Sequence, residues 1–463
     1  MRLAIRWAFG DAHRAARSSR SREVARAPCP RPLRNRQDSF NGHPRKCKDC
    51  TRPQQLREPN PRAWQRTSAF GQSGLRGTQL ANGPAVASLE KTSLSLAAVL
   101  LALLLLGHGA LHALGFVKAF ALADVPSLQR PISRSLGLLW GAAGVLLALA
   151  AALFLSSRSS WGLVAGFGIV ASQVAIFTSF SDARFGTVVN LLLAAPVAVA
   201  LLAAAPNSLA SRFRADAALV RRADARPPLL TETDIGDLPE QVQVYLRFVG
   251  AIGQPRVLDF RADFRGTIKS KPGGAWMKFE ARQLSAFPQN TRLFLLQSSL
   301  FGLPFTAYHR YQSAHATMQV KAAELFSVID ATGPEMDQSE TVTLLNDLCV
   351  LAPAALVGQN ITWQTLGPRR VRATFSHGRQ RVSAELEFDA RGALINFQSQ
   401  DRYLSVDGKT FAAYRWSTPL SNYRSFGRHQ LAARGDASWA MPDGELVYGK
   451  FELLDIEYNV ATP

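Results

Sequence analysis

Between Leu94 and Ala205 the chain runs through four apolar stretches, near 94–117, 134–155, 160–180 and 186–205. Each approaches the roughly 20 residues that cross a hydrocarbon core. A buried soluble bundle does not suit four consecutive spans joined by short charged connectors, so the pattern predicts four transmembrane helices over 91–206. The third is the least hydrophobic, with Ser172, Gln173, Thr178 and Ser179. In the first, His108 and His112 are four residues apart and share a helix face, where Gln173 and Asn190 would meet them inside the bundle. One reading is a small polar site for a proton, a quinone or a lipid headgroup. The other is interhelical hydrogen bonding that fixes packing. Two histidines alone fall short of a metal site.

Connector charges set the expected orientation. Lys91, Arg158, Arg212, Arg214, Arg221, Arg222 and Arg226 lie on one side, against Lys118, Arg130, Arg134 and Arg184 on the other. The positive-inside rule places both ends, and the C-terminal domain, in the cytoplasm.

The formal charge of +19 is unevenly spread: residues 1–90 carry 18 Lys and Arg against 6 Asp and Glu, whereas 207–463 carry 29 against 26. The basicity belongs to the first segment, which excludes a nucleic-acid reading of the whole chain. Rich in Arg, Ser and Pro without apolar periodicity, residues 1–90 are expected to be disordered. Organellar targeting, a basic arm for nucleic acid or anionic lipid, and a zinc site from Cys29, His43, Cys47 and Cys50 are the functional alternatives. The plainer expectation is translated upstream DNA, with the true start at Val86 or Leu89, because no methionine follows Met1 until Met277.

A basic linker over 207–230, marked by Pro227 and Pro228, leads to a domain over 231–463. PEQVQVYLRFVGAIG (239–253) has helical spacing, and a second helix is expected from Pro334 to Leu351. Elsewhere the period is two, and about a dozen strands follow one another without the alternating helices of a parallel fold. The expected class is therefore an α-helical four-helix membrane bundle plus an α+β domain. In the latter, a large, curled, half-barrel-like antiparallel sheet carries two or three helices. Such a sheet encloses an apolar cavity unless side chains fill it. The aromatic strand residues Phe264, Trp276, Phe294, Tyr308 and Trp416 are candidates to line it, with Tyr423 and Arg424 at a rim. Ordinary core packing is the competing account.

No catalytic signature is present: GxSxG, a P-loop, HExxH and a dinucleotide fingerprint are all missing. No catalytic residue, metal or cofactor is expected. Cys349 lies in an apolar helical stretch and reads as a core residue. Glu340, Thr343 and Asp347 share one stripe of the second helix. With His309 or His315 nearby, Glu340 and Asp347 would bind a cation or share a proton, but a solvated helix face explains them as well.

LHALGFVKAF (111–120), PISRSLGLLW (131–140) and SQVAIFTSFSDARFGTVVN (172–190) resemble the membrane half of an uncharacterised bacterial family, known only as a domain of unknown function. NTRLFLLQSSLFGLPFTAYHRY, DATGPEMDQSETVTLLNDLCVLAPAAL, YRWSTPLSNYR and ELVYGKFELLDIEYNV resemble its C-terminal domain. The resemblance spans about residues 92–460, leaves 1–90 without a counterpart, and implies an architecture without an assigned activity. The C-terminal layout is also similar to lipoprotein-carrier half-barrels, which bind acyl chains, though outside the cytoplasm. The leading functional expectation is binding of a hydrophobic small molecule, a lipid or isoprenoid, beside membrane lipids. An enzyme using Glu340, Asp347 and His309, or a protein-interaction module, are the alternatives.

Overall fold

The computed structural model describes residues 96–220, 227–300 and 303–460; the expectations for residues 1–90, including the zinc site, lie outside them. Among the described residues, four helices are long and apolar enough to cross a membrane: α1 (Leu96–Ala119), α2 (Arg134–Leu155), α3 (Trp161–Thr178) and α4 (Gly186–Ala204). Ser133 caps α2, its Oγ accepting from the Leu136 amide at 3.3 Å, which satisfies one of the unpaired amides of the first turn. Glycines let α1 and α2 approach closely: a Cβ on Gly144 would stand 2.7 Å from the Gly109 carbonyl oxygen. Small residues at such crossings are how helices pack in lipid.

A short helix, α5 (Leu209–Leu219), follows within the stretch expected as a linker. After it comes α6 (Glu240–Phe248), and then the strands begin. These are β1 (Asp259–Ile268), β2 (Met277–Ala286), β3 (Thr291–Leu300), β4 (Leu303–Gln312), β5 (His315–Ala322) and β6 (Phe326–Thr332). Helix α7 (Pro334–Val350) interrupts them, with Pro334 in its first turn, where its fixed φ and missing N–H are tolerated. The second set comprises β7 (Ile361–Gly367), β8 (Arg370–His377), β9 (Gln380–Phe388), β10 (Leu394–Ser399), β11 (Tyr403–Leu404), β12 (Ala412–Ala413), β13 (Trp416–Phe426), β14 (His429–Met441) and β15 (Gly444–Tyr458).

Thirteen strands form one sheet in the order β6-β5-β4-β3-β2-β1-β15-β14-β13-β10-β9-β8-β7; β11 and β12 pair separately. All pairings are antiparallel, and the sheet stays open between β6 and β7. Register shifts at Asp263/Phe264, Ala437/Ser438 and Val320/Lys321 add local twist, as bulges do. The curled antiparallel half-barrel expected from the period-two pattern is therefore the observed fold. Helix α7 lies against one face, with Leu344, Leu345 and Leu348 fully buried.

The other face is partly covered too. From α5, Leu209 and Phe213 pack on Leu284, Leu293, Leu295 and Tyr308. That explains the unbroken apolar run LFLL (293–296) of β3: both of its faces are buried, so polar alternation is lost. Antiparallel connection also gives the sheet two distinct ends. One carries the β1–β2, β5–β6 and β14–β15 turns; the other carries the β2–β3, β4–β5, β9–β10 and β13–β14 turns.

Candidate functional site

Arg292 enters the site from β3, on the face turned toward α7. Glu340 and Asp347 are seven residues apart on α7, close to two helical turns, and so project from one stripe. The guanidinium bridges them: Nη1 donates to Glu340 Oε2 at 3.1 Å and Nε to Asp347 Oδ2 at 2.6 Å. Gln283 Nε2 on β2 donates to the same Asp347 oxygen at 2.6 Å. His309 Nδ1 on β4 lies 3.3 Å from Glu340 Oε1, and Arg402 Nη2 lies 3.8 Å from that oxygen. Arg402 also donates to Thr343 Oγ1 at 3.3 Å and Tyr448 Oη at 3.2 Å. Its guanidinium sits 4.3 Å above the Trp416 ring, a cation–π contact.

Glu340 is fully buried and Asp347 is 5% exposed, so the solvated helix face that sequence pattern favoured is not what forms. The stripe is internal because the sheet wraps α7, and the carboxylates are compensated by strand and loop cations. Burial pushes the Glu340 carboxyl up, but the hydrogen bond from His309 and the charges of Arg292 and Arg402 outweigh it and hold it down at about 2. At Asp347 burial prevails: with Glu340 repelling a second negative charge, its carboxyl is raised despite Arg292 and Gln283. Burial likewise raises the Cys349 thiol, in keeping with a core residue.

Two adjoining apolar chambers flank this cluster. One, of 180 Å³, is walled by Phe264, Phe294, Leu296, Val350, Trp416 and Leu420. The other, of 250 Å³, is walled by Leu296, Phe305, Met318, Ile329, Phe411 and Trp439. Ile268, Leu296, His309, Glu340, Arg402 and Tyr448 border both. The arrangement is apolar space on either side of a charged septum, able to hold apolar chains with a polar group between them.

Of the aromatic candidates, Phe264, Phe294 and Trp416 line the first chamber. The other four candidates lie elsewhere. Trp276 is 41% exposed at the β1–β2 turn, under Lys269 Nζ at 4.8 Å. Tyr308 faces outward: its hydroxyl donates to Asp216 Oδ2 at 2.6 Å and its ring meets Phe213. Successive strand residues alternate faces, so Tyr308 is excluded from the site once His309 points in. Tyr423 donates to the Leu394 carbonyl and Arg424 to the Leu453 carbonyl, each at 2.7 Å, near the opposite end of the sheet. Sequence reasoning missed Arg292, Arg402, Gln283 and Tyr448. The available signal was an arginine inside an apolar strand, with two carboxylates two helical turns apart elsewhere in the domain.

Inside the helix bundle, the polar residues also meet. His108 Nε2 lies 2.9 Å from Asn190 Oδ1, and His112 Nε2 lies 2.7 Å from Ser172 Oγ. Asn190 Nδ2 donates to Gln173 Oε1 at 3.0 Å, and Gln173 Nε2 to Thr187 Oγ1 at 3.1 Å. Among the described residues, no group of three or more His, Cys, Asp or Glu side chains is placed to hold a metal ion.

Fold and site together define an open antiparallel half-barrel with a charged septum in an apolar interior, joined to four apolar helices. Residues 228–451 match the model of a family of unknown function, DUF6544, so the expected resemblance holds over the C-terminal domain. No curated protein matches the chain in sequence. Among solved structures, a LolA superfamily protein from Nitrosomonas europaea is 10% identical, covering 48% of this chain and 94% of that one, with a TM-score of 0.29. A DUF1329 family protein from Desulfovibrio piger is 10% identical over 48% and 93%, with a TM-score of 0.30. A domain assigned to an outer membrane lipoprotein-sorting protein of Vibrio parahaemolyticus is 9% identical over 44% and 87%, with a TM-score of 0.25.

Proposed function

We propose that the chain is a multi-pass protein of a bacterial inner membrane whose C-terminal domain, on the cytoplasmic side, binds a hydrophobic ligand such as a lipid or isoprenoid. The observation that carries this reading is the pair of adjoining apolar chambers with Arg402, His309 and Glu340 between them. Apolar walls supply affinity through burial, and a few fixed polar groups orient a head group. The enzymatic alternative is weaker: a carboxylate held at about 2 is a poor general base near neutrality, and Asp347 is bound by both Arg292 and Gln283.

The test is mass spectrometry of lipids co-purifying with the full chain, compared with a Leu296→Trp variant that fills the wall common to both chambers. Annular lipids will be the same in the two samples. A species present in equimolar amount in the wild type and missing from the variant supports the reading and identifies the ligand. Identical lipid profiles overturn it.

A further inference from the structure

The path from α4 into the sheet indicates which end of the half-barrel faces the helices. Helix α4 ends at Ala204, and the chain from there to Leu209 reaches at most about 18 Å even when fully extended. The Leu209 amide donates at 3.2 Å to Glu324, in the β5–β6 turn. From that point α5 runs toward the opposite end: Arg212 donates to Gln319, Phe213 meets Tyr308, and Asp216 pairs with Arg310 at 3.2 Å. The β5–β6 turn therefore lies next to the point where α4 ends, and the β1–β2 and β14–β15 turns share that end of the sheet. The opposite turns stand about 33 Å further off, the length of a ten-residue strand.

At that end the β1–β2 hairpin has the chemistry of a bilayer surface contact, whereas the β14–β15 turn carries Asp443, with Glu445 beside it in β15, and the β5–β6 turn Glu324. Residues 268–279, IKSKPGGAWMKF, contain three lysines and no acidic residue. Trp276 is exposed at their tip, with Lys269 and Lys450 over its ring at 4.8 and 5.4 Å. At the β5–β6 turn Leu325 is 58% exposed, and Phe326, the first residue of β6, is 41% exposed. Tryptophan and lysine together favour the headgroup region, where the ring is half solvated and the ammonium meets anionic lipid. The larger chamber also extends to this end, bordered by Ile268, Lys269, Ser270 and Met277 on one side and Tyr403 to Val406 on the other.

We propose that the β1–β2 hairpin end of the half-barrel rests on the anionic leaflet of the same membrane that α1–α4 cross, Trp276 in the interface and Lys269, Lys271 and Lys278 toward lipid phosphates. The ligand chamber then opens onto that leaflet and fills laterally from it. The docking rests on the membrane-spanning reading of α1–α4, and only the filling route rests on the ligand-binding reading.

The test uses the full chain with Cys29, Cys47 and Cys50 changed to Ser, in phosphatidylcholine discs with or without phosphatidylglycerol. A bimane label is placed at Trp276→Cys, at Pro272→Cys on the same hairpin, or at Arg391→Cys in the β9–β10 turn. One label per chain confirms that buried Cys349 stays closed and the domain folded. Spin-labelled lipid is expected to quench positions 276 and 272 several-fold more than 391, and only with phosphatidylglycerol present. Changing Lys269, Lys271 and Lys278 to Glu should abolish the difference. Equal, weak quenching at all three positions overturns the docking, and strong hairpin quenching without phosphatidylglycerol overturns its electrostatic basis. Docking without a co-purified ligand would discard ligand binding alone; a ligand without docking would discard docking alone.

Discussion

Replacing Arg292 with Met strips the shared cation from two buried carboxylates, Glu340 and Asp347, while keeping most of the side-chain volume. Removing one partner of a buried ion pair costs about 3–5 kcal/mol, because the remaining charge is left in a poorly solvating interior. His309 and Arg402 still face Glu340, but Asp347 keeps only Gln283, so the loss should fall in that range rather than below it. Cys349 is fully buried on the same helix and reports the opening of α7 directly. In a chain whose other three cysteines are Ser, the maleimide labelling rate of Cys349 should rise by roughly a hundred- to a few thousand-fold in Arg292→Met, since about 1.4 kcal/mol corresponds to a factor of ten. Adding Glu340→Gln and Asp347→Asn removes the stranded charges and should bring the rate back to within about tenfold of the parent. A rise smaller than about tenfold in Arg292→Met alone would refute the claim that the septum is a dry, charge-balanced cluster.

Other expectations follow from particular residues. Glu340 is lowered from an ordinary 4.5 to about 2, so its contribution to stability is complete above pH 4.5 and is lost as pH falls toward 2. Asp347, raised, acts in the opposite sense: its contribution is present below its ordinary 3.8 and lost as pH rises through its folded value. Glu340→Gln should therefore flatten the acid limb of a stability–pH curve below 4.5 by about one proton; an unchanged slope would assign that limb to other groups. In the bundle, Gly144→Val should weaken α1–α2 packing by about 1–3 kcal/mol, read as an earlier SDS-unfolding midpoint, whereas Gly107→Val, with open space at its Cβ position, should have no effect. Matching midpoints for the two variants would contradict the close crossing. Phe213→Ala removes a ring that is 5% exposed between α5 and the sheet. It should cost about 3–5 kcal/mol of docking and make residues 209–219 sensitive to limited proteolysis; continued protection would show that α5 is held elsewhere.

How much of this was legible depends on whether a signal is local. Strand alternation and the two helix starts at Pro239 and Pro334 are local, so the antiparallel class and the position of α7 could be read from period and punctuation. The outer covering of the sheet could not. LASRFRADAAL (209–219) reads as a basic linker because its large apolar residues are only Leu209, Phe213 and Leu219, and Leu209 and Phe213 gain meaning only against Leu293 and Leu295, some eighty residues later. The same non-locality hid the site. Glu340 and Asp347 looked like a wet stripe because the cation that balances them stands on β3, among apolar neighbours.

The register of β3 connects these two oversights. Arg292, Phe294 and Leu296 point toward α7, and Leu293 and Leu295 point toward α5. A one-residue slip would exchange the sets, placing Arg292 against Phe213 and leaving both carboxylates of α7 facing leucine. Burying an uncompensated charge costs several kcal/mol, so the slipped register is penalised on both faces at once. The ion pairs thus penalise the slipped register, while their own desolvation offsets much of their attraction. By holding Phe294 and Leu296 inward, that register sets the wall common to the chambers. The septum charges and the apolar space are consequences of one alignment, and a substitution that lets β3 slip should remove the cavity along with the ion pairs.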